Sequence, residues 1–136
     1  IMVKYTQGFF NSDIEWEDLF INFNESIIKK EKITNMSDYY FLSENAIQID
    51  KLKPLYDELK IKTAHLYMSL STVSDGHGKH NDTDDVWYWQ CKGITQWQGE
   101  DFKHVLSPGD LIYVPKGVYH QVTSLSPRAG ISMSKD

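Results

Sequence analysis

His80-Asn81-Asp82 places two metal-ligand side chains two residues apart. On an extended segment side chains alternate between faces, so this spacing points His80 and Asp82 the same way and lets them grip one ion. A third ligand is offered by Tyr113-Val-Pro115-Lys-Gly117-Val-Tyr-His120, where a short apolar strand and a Pro-containing turn deliver His120 to the start of another strand. Two imidazoles and one carboxylate make a facial triad with coordination positions left open. That donor set suits non-haem Fe(II), and Mn, Ni or Zn can occupy the same geometry.

The residues around the triad carry a resemblance. His80-x-Asp82-x-x-Asp85-Val86, followed by Gln90-x-x-Gly93 and Trp97, resembles the H-x-D-x-x-D-V run and its Q-x-x-G and Trp sequel in JmjC-like Fe(II)/2-oxoglutarate oxygenases, especially the ribosomal-protein hydroxylase branch. Leu106-Ser-Pro108-Gly109-Asp110-Leu-Ile-Tyr113-Val-Pro115-x-Gly117-x-x-His120 is similar to the L-x-P-G-D-x-L-Y-I-P-P-G-x-x-H segment of that family and of cupins generally. Both matches lie in the C-terminal half. The resemblance implies a double-stranded β-helix that binds iron through His80, Asp82 and His120. It also implies an oxidoreductase of the dioxygenase type, with 2-oxoglutarate coordinated through its keto-acid end.

The far carboxylate of 2-oxoglutarate needs a cation. In the resembling hydroxylases a Lys or Arg stands two residues after the glycine, and here that position is Thr95. A neutral hydroxyl cannot supply a charge-assisted hydrogen bond, the stronger kind. The chain's only arginine, Arg128, follows His120 by eight residues on the expected next strand, with Ser132 four further along on the same alternating face. Many other 2-oxoglutarate oxygenases carry an Arg-x-Ser at a comparable place, and Arg128-Ala-Gly-Ile-Ser132 is a looser version of it. Tyr67 adds a hydroxyl. Tyr67, Thr95, Arg128 and Ser132 are therefore the candidate co-substrate contacts, with Arg128 expected as the anchor; an exposed turn arginine after Pro127 is the alternative.

The elements that must position these residues follow from the hydrophobic period. Residues 12–30 read as an amphipathic helix behind a Ser12/Asp13 cap, with Trp16, Phe20, Phe23 and Ile27 as its core stripe. Acids crowd its first turns and Lys29 and Lys30 close it, the order the helix dipole favours. Tyr39 to Leu42 reads as a short strand. Asp50 to Lys60 reads as a second helix, with Pro54 in its first turn and Leu52, Leu55 and Leu59 buried.

From Ile61 onward the period becomes alternating, and turn signals recur at Lys92-Gly93, Gln98–Asp101, Ser107–Asp110, Pro115–Gly117 and Ser124–Pro127. The expected fold is mainly β within an α+β chain. It is one domain, a cupin-like jelly-roll barrel over about 61–136 with a helical part over about 12–60 packed outside. Between Ala64 and Ser71, Leu66, Met68 and Leu70 share one face while His65, Tyr67 and Ser69 share the other, which is expected to line the barrel interior. Trp87 and Trp89 alternate with Tyr88, and a single bulge would invert their sides, so their placement stays open. His77 and His104 are expected in solvent.

Composition narrows the function. The 136 residues carry a net charge of −5, with 14 basic residues scattered among 19 acids, against a nucleic-acid footprint. No apolar run approaches the ~20 residues of a membrane span, and no signal-peptide pattern opens the chain. One cysteine, Cys91, cannot form an internal disulfide and fits a reducing cytosol, so the protein is expected to be cytoplasmic. Self-association as a homodimer stays open.

Three classes of function fit: an Fe(II)/2-oxoglutarate hydroxylase or demethylase, a metal-dependent cupin enzyme without 2-oxoglutarate, and a small-molecule-binding cupin. Thr95 favours the second, and an intact open-sided triad counts against the third. The sequence ends directly after its last strand pattern, without the C-terminal helical domains of ribosomal-protein hydroxylases. A small-molecule substrate is thus expected at least as much as a peptide.

Overall fold

The computed structural model describes residues 2–28, 33–36, 40–70 and 79–136. In chain order the elements are β1 (Lys4–Thr6), α1 (Trp16–Ile28), β2 (Ile33–Met36), β3 (Tyr40–Ser43), α2 (Lys53–Leu59), β4 (Thr63–Ser69), β5 (Val86–Lys92), β6 (Thr95–Gly99), β7 (Lys103–Leu106), β8 (Leu111–Val114), β9 (His120–Ser124) and β10 (Arg128–Ser134). Two short 3-10 turns, Ala46–Gln48 and Asp50–Leu52, lead into α2.

The strands form a seven-stranded sheet in the order β1-β8-β5-β10-β4-β3-β2 and a three-stranded sheet in the order β7-β6-β9. All the pairings are antiparallel, and each of the five sequence-predicted turns falls between two strands of the second half. The short strand expected over Tyr39 to Leu42 is β3, while β2 was not expected and β1 adds an edge strand ahead of the helical segment.

Alternation along the strands sends side chains into two cores. Tyr88, Ile112 and Val114 of the large sheet meet Trp97 and Leu106 of the small one. On the opposite face of the large sheet, Leu66, Met68, Trp89, Cys91, Ile131 and Met133 pack against Leu19, Leu52, Leu55 and Tyr56 of the N-terminal half. At about 25 cal/mol per Å² of apolar surface, a fully buried leucine such as Leu52 or Leu55 contributes roughly 1.5–3 kcal/mol. β4 therefore keeps the expected register, with Leu66 and Met68 under the helices. Leu70, assigned to the same face, lies past the end of β4 and is 53% exposed.

Helix α1 begins later than predicted. Ser12 accepts from the Ile14 amide, and the helix is capped at Glu15, whose amide donates to the Asp18 carboxylate at 2.7 Å. Its buried stripe is in part the expected one: Trp16 and Phe23 pack half-buried against the core, Phe20 is 42% exposed, Leu19, Asn22 and Ser26 are buried as well, and the side chain of Ile27 lies outside the described residues. Asn22 and Ser26 tolerate burial because Asn22 Nδ2 donates to the Asn45 carbonyl at 3.0 Å and Ser26 shares a hydrogen bond with Ser43, also at 3.0 Å. Lys29, Lys30 and Tyr39 lie outside the described residues. The second helix matches its expectation, with Pro54 in the first turn, Leu52 and Leu55 buried and Leu59 half-buried.

Candidate metal centre

His80 precedes β5 and is drawn to the barrel by one isolated antiparallel bridge to His120. The two residues exchange backbone hydrogen bonds of 2.9 and 2.8 Å. Two more bonds stitch the same segments together: Gly117 N donates to the Asp82 carbonyl at 2.9 Å, and Lys116 N donates to the Asp85 carboxylate at 2.9 Å. The two motifs recognised in the sequence are thus one structural unit. Asp85 acts in it as a clamp on the turn before His120.

The side chains converge. The Asp82 carboxylate lies 3.8 Å from His80 Nε2 and 3.4 Å from His120 Nε2, and one ligand atom from each of the three residues falls within 4.8 Å of the others. His80, Asp82 and His120 would hold one divalent ion, which would draw their donor atoms closer together. Among the described residues this is the one group of three or more such side chains.

His120 is 2% exposed, and its Nδ1 lies 2.9 Å from the Val118 carbonyl. That contact favours the Nδ1–H tautomer and leaves the Nε2 lone pair toward Asp82. Burial holds the imidazole pKa below its ordinary value, with the Val118 bond opposing. A neutral imidazole is the form a metal needs. The His120 ring also stacks on Trp97, centroids 5.4 Å apart and planes 15° apart. Two imidazoles and one carboxylate in this order fit a divalent transition metal.

The triad opens into a cavity of about 50 Å³. At about 10–15 Å³ per water that volume has room for several waters, which a bound acid would displace. Tyr67, Tyr88, Arg128 and Ser132 line it together with His80, Asp82 and His120, and Val86, Trp97 and Val122 give it apolar walls. Tyr67 feels both Asp82 and Arg128, and burial, followed by the Asp82 charge, pushes its phenol up to about 12. It remains a neutral donor.

Arg128 is 3% exposed, not a surface turn residue. Its Nε donates to Ser124 Oγ at 3.0 Å and its Nη1 to the Tyr88 hydroxyl at 3.1 Å. Lys103 and Lys116 are exposed, Lys92 is half-buried, and among the described residues no lysine lines the cavity.

Of the four residues expected at the co-substrate, the structure brings Tyr67, Arg128 and Ser132 to the cavity, and Thr95 does not line it. Thr95 is fully buried and donates to Gln90 Oε1 at 2.7 Å, while Gln90 Nε2 donates to the Lys92 and Gly93 carbonyls at 2.9 and 3.0 Å. Its hydroxyl closes the β5–β6 turn.

Of the barrel face of β4, Tyr67 reaches the cavity, His65 lines an adjoining depression beside Asp82, Asp84 and Ser132, and Ser69 is buried opposite Arg128. His104 stacks on Tyr5 at 4.8 Å, away from the cavity, and is half-buried where solvent was expected. His77 lies outside the described residues. Sequence reading missed Tyr88 as a cavity residue because the parity of β5 was open. A usable signal was Gly130, since a glycine inside a strand marks the close approach of another group.

No family model matches the sequence, and no curated protein matches it significantly. Solved structures match its fold. The Escherichia coli ribosomal oxygenase YcfD, in complex with cobalt and 2-oxoglutarate, aligns with a TM-score of 0.71 at 17% identity, over 97% of this chain and 47% of that one. The same protein with cobalt and succinic acid aligns with a TM-score of 0.61 at 22% identity, over 70% of this chain and 31% of that one. KdgF from Halomonas sp. aligns with a TM-score of 0.57 at 16% identity, over 79% of this chain and 91% of that one. The fold is thus that of the cupins, a jelly-roll of antiparallel strands. The chain spans about half the length of YcfD at most. No helix among the described residues is long and apolar enough to cross a membrane.

Proposed function

We propose that the chain is a metal-dependent oxygenase that binds iron through His80, Asp82 and His120 and takes 2-oxoglutarate as co-substrate. The observation that carries the reading is Arg128, a buried cation lining the same cavity as the triad. A carboxylate drawn into a barrel must leave water, and desolvation is repaid only by a cation or several donors aimed at it. Arg128 offers the cation and a planar fork that holds a carboxylate bidentately, with the Ser132 and Tyr67 hydroxyls beside it.

Iron with a 2-oxo acid supplies the activation of dioxygen for hydroxylation. The chain's own residues hold the donors, seat the acid and exclude water with Val86, Trp97 and Val122. A cobalt and 2-oxoglutarate complex of a protein with this fold supports the reading. The substrate is a small molecule or a peptide. A cytoplasmic setting is part of the proposal, in keeping with one buried free thiol.

Anaerobic titration of the metal-loaded protein with 2-oxoglutarate tests it. Arg128→Ala is expected to weaken binding by about 2–5 kcal/mol, by analogy with truncated buried charge pairs. Thr95→Ala is expected to leave direct contacts intact, because Thr95 bonds to Gln90. Unchanged binding in Arg128→Ala rejects the anchor. Absence of binding in the wild type moves the function to a second reading, a metal-dependent cupin enzyme without 2-oxoglutarate, which the uncharged, turn-bound Thr95 favours.

A further inference from the structure

Gly130 lies in the middle of β10, just after a bulge between Ala129 and Gly130, and pairs with Tyr67 on β4 and Gln90 on β5. A Cβ at this position would overlap the Tyr88 hydroxyl and Cζ. The Tyr88 ring therefore occupies the space that a side chain at 130 would take. From there its hydroxyl accepts from Arg128 Nη1 at 3.1 Å, while Ser124 holds the other side of the guanidinium through Nε at 3.0 Å. Tyr88 is 2% exposed and lines the cavity, so its ring fills part of the floor as its hydroxyl fixes the arginine.

We infer that Gly130 and Tyr88 form a length gauge: the missing side chain admits the phenol to the cavity floor, where it seats Arg128 and sets how long an acid the cavity takes. This rests on the reading of the cavity as a 2-oxo-acid site and adds its selectivity, for a five-carbon 2-oxo diacid over a longer one. Tyr88 is a positioning residue, since it acts through Arg128 and through the volume it fills. A purely structural tyrosine would weaken every ligand alike when replaced. A gauge changes the ratio between ligands that differ by one methylene, a difference that shaped apolar sites read as about 10–200-fold.

The test is isothermal titration of Mn(II)-loaded protein with 2-oxoglutarate and with its one-carbon homologue 2-oxoadipate, for wild type, Tyr88→Phe and Tyr88→Leu, with folding checked by circular dichroism. The wild type is expected to prefer 2-oxoglutarate by about tenfold or more. Tyr88→Leu should bring that ratio close to one or invert it. Tyr88→Phe keeps the ring and should keep the ratio, with both affinities down about tenfold from loss of the hydroxyl on Arg128. A folded Tyr88→Leu with the wild-type ratio overturns the gauge. Should Tyr88→Leu fail to fold, Tyr88→Phe decides: unchanged affinity for both acids removes the seating of Arg128 and the inference with it. A wild type that binds neither acid overturns the 2-oxo-acid reading itself, a result distinct from binding without discrimination.

Discussion

His80 and His120 are bound to each other through their backbones before any metal is considered, each amide donating to the other's carbonyl at 2.9 and 2.8 Å, with ring centroids 4.4 Å apart. Residues forty apart in sequence thus become neighbours in a sheet-like bridge. Asp82 is fixed beside them by the Gly117 amide. Donors placed by backbone hydrogen bonds lose little freedom when a metal arrives, and lowering that ordering cost raises affinity.

Replacing a ligand should therefore abolish the site without unfolding the chain. His80→Ala and Asp82→Ala are expected to lose the bound metal, Asp82→Ala through its missing anionic donor, with circular dichroism unchanged. Asp85→Ala removes only the clamp on Lys116 and should weaken metal binding by about 10–100-fold, the usual effect of a group that orients ligands. Elemental analysis and Fe(II) titration measure both. Equal metal content across wild type and the three variants would refute the centre.

The triad was legible because ligand chemistry needs particular residue types, and strand alternation fixes which of them share a face. The same alternation put Tyr67 on the interior face of its strand and Arg128 and Ser132 on one face of theirs, while whether Arg128 was buried or an exposed turn residue stayed open in the sequence. It could not place Tyr88, because the loop before β5 hides the strand's parity, nor assign Gly130, whose role depends on a ring from a neighbouring strand. In α1, Trp16 and Phe23 were placed on the core side and Phe20 was misplaced for a related reason. Phe20 outranks Asn22 and Ser26 in hydropathy, yet the polar pair is buried because Ser43 and Asn45 satisfy it. β1 was missed because three residues carry no period, and what holds it is a carboxylate more than a hundred residues away.

Cys91 gives a pH prediction. Burial pushes its thiol from 9.0 up to about 12, with Lys92 opposing, so the folded state holds the neutral form. An acid whose pKa is raised by folding contributes stability that is fully present below its unfolded pKa and is lost as pH rises through the folded one. Stability should thus be flat in this respect below pH 9 and fall from there toward 12, with Tyr67 adding to the loss above 10. Urea midpoints across that window, compared with those of Cys91→Ala, test it. A native thiol that alkylates rapidly near neutral pH would contradict the burial.

Asp110 should matter to the fold and not to the metal. It is 4% exposed, and its carboxylate accepts from the Tyr5 hydroxyl at 2.8 Å, the Gly8 amide at 2.8 Å and the Ser107 amide at 2.9 Å. Those bonds close the β7–β8 turn and latch β1, which otherwise pairs with β8 over only three residues. Hydrogen bonds to a charged group contribute about 1.5–3 kcal/mol each and are not additive. Asp110→Ala is expected to destabilise by at least one such bond, and Asp110→Asn by less, since one oxygen still accepts while the new amide faces a donor. Urea denaturation should show that order, and hydrogen exchange should show the Gly8 and Ser107 amides losing protection first. Metal content should stay at the wild-type level, because Asp110 is not among the residues that line the cavity or its triad. Unchanged urea midpoints in both variants would show that the latch contributes nothing; loss of metal in a folded Asp110→Asn would show that the turn reaches the site after all.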